Sequence, residues 1–106
     1  MAKAIKAADA SKSDYIALIS FGAGGSWIRD PDPEEAVKRV VRLAKSDWKT
    51  LFKFKKGATI KVNLYDITGH DHVKIGDDGV FTESGEGDDY KRNWIPRLKL
   101  VDATIP

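Results

Sequence analysis

Residues Pro33 to Lys53 read PEEAVKRVVRLAKSDWKTLFK, and their spacing predicts one long amphipathic helix. At about 100° per residue, Val37, Val40, Val41, Ala44, Trp48, Leu51 and Phe52 fall on a single face. Lys38, Arg42, Lys45, Lys49 and Lys53 form a second stripe beside it, on the solvent side. Asp32 is placed to cap the first turn, Pro33 suits the first helical position, and Glu35 completes a D-x-x-E capping pattern. Glu34 and Glu35 sit at the positive end of the helix dipole. Lysines crowd the other end, where Gly57 is the expected stop. Ser46-Asp47 is an alternative cap for a second helix, but the apolar register runs through it unbroken.

A single helix needs a sheet to cover its apolar face. Upstream, Tyr15 to Phe21 (YIALISF) is nearly all apolar and reads as a strand buried on both faces or in the middle of a sheet. Gly22 to Gly25 breaks the pattern and Ser26 to Arg29 resumes it, which predicts a hairpin whose short second strand carries Trp27. Downstream, Thr59 to Thr68 alternates Ile60, Val62 and Leu64 with Lys61, Asn63 and Tyr65, the pattern of a strand with one core face. The phase slips at Asp66-Ile67, and Gly69 to His72 reads as a loop. Val73 to Ile75 and Val80 to Thr82 flank Gly76-Asp77-Asp78-Gly79, a second hairpin signal. Glu83 to Lys91 is expected to be a mobile acidic loop, and Arg97 to Ile105 a closing strand.

The order is therefore β-β-α-β-β-β-β: a two-layer α+β domain, one long helix on a mainly antiparallel sheet. Residues 1–106 form one domain, with 1–13 as a polar lead-in. The expected core is Ile16, Leu18, Ile19, Phe21, Ile60, Val62 and Leu64 against the apolar helix face. The outer sheet face is expected to stand open and present Lys61, Asn63 and Tyr65. In element order and in the motif Pro33-Glu34-Glu35-Ala36, the chain resembles the partner-binding domain of HicB-type antitoxins; no function is carried over from so short a motif.

Composition narrows the chemistry. No cysteine is present, which excludes disulfides, thiol catalysis and thiolate metal sites, and a cytoplasmic location is the expectation. No apolar run approaches the roughly 20 residues that span a bilayer, so no membrane partner is expected. The net charge of +2 hides an asymmetry: residues 1–56 carry 12 bases and 7 acids, residues 57–106 carry 6 bases and 9 acids.

Motifs of chemistry are sparse. His70-x-His72, with Asp66 and Asp71 nearby, offers part of a zinc ligand set, but no third histidine or cysteine completes it. The acidic turn lacks EF-hand spacing, and Gly22-x-Gly24-Gly25 lacks the phosphate-loop pattern. No nucleophile elbow or catalytic pair is present, so no catalytic residue and no cofactor is assigned. The expectation is a small non-enzymatic module acting through protein contacts, with a protein partner or self-association. Two copies can offer each other the basic helix and the acidic segment Gly76 to Asp89. The alternative is nucleic-acid binding, with Lys38, Arg42, Lys45, Lys49 and Lys53 along the phosphates and Lys61 and Tyr65 on the outer sheet face. A small enzyme or metal protein built on His70 and His72 is the third reading.

Overall fold

The computed structural model describes residues 13–20, 25–52, 56–76 and 79–106, with the side chains of 47–52 outside the description. Strand β1 (Tyr15–Ser20) and strand β2 (Gly25–Asp30) precede helix α1 (Pro33–Phe52). Then follow β3 (Thr59–Asp66), β4 (Lys74–Gly76), β5 (Gly79–Ser84), a 3₁₀ turn (Gly87–Asp89), β6 (Lys91–Trp94) and β7 (Lys99–Thr104). The α+β class is as expected; the short β6 adds a strand to the four expected after the helix. Every strand pairing is antiparallel.

The strands sort into two sheets, β2-β1-β3-β7 and β4-β5-β6. Helix α1 covers one face of the larger sheet. Its Ala36, Val40, Val41 and Ala44 are buried against Ala17 and Ile19 of β1, Val62 and Leu64 of β3, and Ile105. Each fully buried aliphatic side chain contributes about 1.5–3 kcal/mol of transfer free energy. The helix starts as its sequence requires. Asp32 Oδ1 accepts the Glu34 amide at 3.0 Å, and the Asp32 carbonyl accepts the Ala36 amide at 3.0 Å. Asp30 braces the entry, accepting the Asp32 amide at 2.8 Å and Arg39 Nη1 at 2.9 Å. The Asp32 amide and then the Arg39 side chain outweigh its partial burial and hold the Asp30 carboxyl below its ordinary pKa.

The smaller sheet covers part of the opposite face. Ile16 and Leu18 of β1, Tyr65 and Ile67 are buried with Val80 of β5, and Val73, Ile75 and Ile95 pack around them. Strand β1 is thus buried on both faces, as its apolar run requires. Ile67 is fully buried although it falls where the β3 alternation slips. The expected mobile loop at Glu83 to Lys91 is largely ordered structure. Glu83 pairs with Arg92 and Ser84 with Lys91 across β5 and β6, and the 3₁₀ turn closes the connection. Gly85 makes that closure possible: its φ is +79°, and a Cβ there would stand 2.1 Å from the Asp89 carbonyl oxygen.

Val37 and Ile60, expected in the core, are half-buried at its margin. Phe21, Trp48, Leu51 and Phe52 of the expected core, the turns Gly22–Gly24 and Asp77-Asp78, and residues 1–12 lie outside the described residues or side chains.

Candidate functional site

Of the helix stripe, Lys38 and Arg42 are exposed. Lys45 is half-buried, its Nζ donating to the Pro106 carbonyl at 2.7 Å. Lys49 and Lys53 fall outside the described side chains. Among the described side chains, the stripe therefore places two exposed cations side by side.

Those two cations border a groove of about 540 Å3 between α1 and β7. The helix sits mainly over β1 and β2, so it leaves the β7 side of the sheet partly bare. Val37 and Val41 form one wall of the groove, and Leu64, Val101 and Ala103 the other. Lys38, Arg42 and Lys99 stand on its rim with Glu34 and Asp102. Among the described residues strand β7 pairs with β3 alone and is therefore an edge. Its other face carries Leu100, opposite Asn63 and 44% exposed, beside Asp102 and Thr104, and Leu98 just before the strand is 53% exposed. An exposed edge that carries apolar side chains is ready to pair with another strand.

The outer face of the four-stranded sheet is only partly open. Lys61 is exposed and pairs with Asp102 at 2.5 Å. Asn63 is half-buried, donating through Nδ2 to the Leu18 carbonyl at 3.3 Å and accepting from Arg97 Nη1 at 2.9 Å. Tyr65 does not meet the expectation of an exposed ring: it is 6% exposed, because the smaller sheet closes over it. Burial raises the pKa of its hydroxyl, with Arg97 opposing the effect, so the phenol stays protonated. The two sheets meet in a cleft lined by Asn63, Tyr65, Gly79, Trp94, Ile95 and Arg97. Composition held a signal for it: Tyr90 to Lys99 (YKRNWIPRLK) has four bases and no acid within an otherwise acidic half.

The histidine loop is held at its base. Arg29 binds Asp14 Oδ2 through Nε at 2.9 Å and Nη2 at 2.7 Å, and Nη2 also reaches the His70 carbonyl at 3.1 Å. His70 and His72 themselves are exposed. Asp66, which could have joined them, instead accepts the Thr68 hydroxyl at 2.6 Å and amide at 3.0 Å, bonds that lower its pKa. Among the described residues, no three His, Cys, Asp or Glu side chains gather as a metal site. The acidic segment is partly neutralised within its own sheet, where Glu83 is bound by Lys74 at 2.6 Å and by the Tyr90 hydroxyl.

Among the described residues, no helix is long and apolar enough to cross a membrane. No family model, no curated protein and no solved structure matches this chain.

Proposed function

We propose that this chain is a protein-contact module whose contact surface is the β7 edge, and that the strand added there comes from a second copy. One observation carries the reading: among the described residues β7 is unpaired on one side, with Leu100 exposed on its outward face and Val101 and Ala103 toward the groove. Main-chain hydrogen bonds give such an edge its affinity, and the side chains on its two faces give specificity. The strand is also its own complement. An antiparallel copy centred on Val101 sets Lys99 against Ala103 and Leu100 against Asp102, so no like charges oppose. Together the two sheets become one continuous eight-stranded layer.

Sedimentation velocity over a wide concentration range tests this. The parent should associate as concentration rises. Leu100→Lys, which installs the residue that natural edge strands use against pairing, should stay monomeric with unchanged circular dichroism. A parent that stays monomeric at every concentration, or a Leu100→Lys variant that associates equally well, would refute the reading.

The second reading, nucleic-acid binding along the helix, draws support from the exposed Lys38 and Arg42 and no other described cation of the stripe. It is the weaker of the two.

A further inference from the structure

We infer that the cleft between the two sheets binds single-stranded nucleic acid, with Trp94 as the stacking surface and Arg97 as the phosphate-binding cation. This site is separate from the helix stripe and from the β7 edge.

Three observations support it. First, Trp94 is 47% exposed at the end of β6 although it lies in the cleft wall. Its ring is not loose: the centroid stands 4.9 Å from that of Phe81, at 55°. Arg92 in turn lies 4.6 Å from the Phe81 centroid, closing that ring off. The indole is thus a braced aromatic surface, and a base can stack on it at little entropic cost. Second, Arg97 is positioned by a neutral partner, Asn63 Oδ1, which consumes one of its donors and none of its charge. Asp102 and Glu83 are committed elsewhere, Asp102 to Lys61 and Glu83 to Lys74 and Tyr90. Third, the floor supplies hydrogen-bonding groups from Tyr65 and Asn63. Tyr65 reaches the cleft because Gly79 has no side chain: a Cβ there would lie 2.9 Å from the Tyr65 hydroxyl.

The charge pattern favours a polymer over a small anion. Arg97 lines the cleft, and Lys91 and Arg92 precede it on the segment that crosses from the smaller sheet to the larger. A cation beside an aromatic surface, with further bases upstream on the same segment, suits a strand with regularly spaced phosphates and bases. Every base has a π-face, so little sequence preference is expected.

Fluorescence anisotropy with labelled oligo-dT and oligo-U separates the outcomes. The parent should bind at least one oligonucleotide, more weakly as salt rises. Trp94→Leu and Arg97→Gln should each weaken binding about tenfold or more. The double variant Lys38→Gln/Arg42→Gln should change it less than about twofold, because the helix lies on the far face of the sheet. Circular dichroism of each variant checks that the fold persists, and Arg97→Gln serves alone if Trp94→Leu does not fold. A preference for oligo-U over oligo-dT would identify RNA as the ligand, and the reverse DNA. Absence of binding, loss in the helix variant instead, or indifference to both Trp94 and Arg97 would overturn the inference. So would equal competition by heparin or a polyglutamate peptide, which would reduce the site to a basic patch.

Discussion

The hydroxyl of Tyr65 in the larger sheet lies against Gly79 in the smaller one, 2.9 Å from where a Cβ would stand. Gly79 also has a φ of +144°, which L side chains rarely adopt. Gly79→Ala therefore meets a steric and a conformational penalty together and should destabilise by about 1–3 kcal/mol. Tyr65→Phe in the same background should recover part of the loss, because it removes the atom that clashes. Chemical denaturation of the two single variants and the double variant measures this coupling. Additive effects would show that the contact is not what excludes a side chain at position 79.

Asp32 caps α1 by accepting the Glu34 amide. Asp32→Ala should cost about 1 kcal/mol at neutral pH, while Asp32→Ser should retain most of the stability. Denaturant midpoints report both, and coinciding midpoints for Asp32→Ala and the parent would remove the cap from the account.

Acid should loosen the turn after β3. The Thr68 hydroxyl, then its amide, hold the Asp66 carboxyl below its ordinary value of 3.8. A depressed folded-state pKa contributes stability that is fully present above the unfolded value and is lost as pH falls through the folded one. Asp66→Asn should therefore flatten the acid limb of the stability curve below about pH 4. An unchanged limb in urea titrations across that range would show that the carboxylate contributes nothing to it.

Ile67→Ala should cost about 2–5 kcal/mol, because Ile67 is fully buried between the sheets. A loss below 1 kcal/mol by calorimetry would mean that the smaller sheet is only loosely seated.

Much of this architecture was legible in the chain. The period of α1 and its Asp32 cap were plain, because spacing and end chemistry agreed. Both hairpins were marked by apolar runs around glycines. The β1 run, apolar at every other position and between, pointed to cover on both faces or a place in the middle of a sheet. The polar alternation of Lys61 and Asn63 required an open face. Both readings hold, because the smaller sheet covers Ile16, Leu18 and Tyr65 but leaves Lys61 exposed. Tyr65 was misplaced because alternation assigns a face, not what lies over it. Ile67 and Val80 were missed from the core because they sit in apolar pieces too short to show a period. The β7 edge was illegible for another reason: it follows from the spatial order β2-β1-β3-β7, which local pattern does not encode.

The central claim is that β7 gains a strand from a second copy. Amide hydrogen exchange across β7 at low and high protein concentration tests it most directly. In isolated protein, the amides of Lys99–Thr104 that face away from β3 should exchange freely. At high concentration those alternate amides should slow, and in Leu100→Lys they should remain fast. Unchanged exchange along β7 at the highest concentration, or new protection confined to the β2 or β6 edge, would contradict the account.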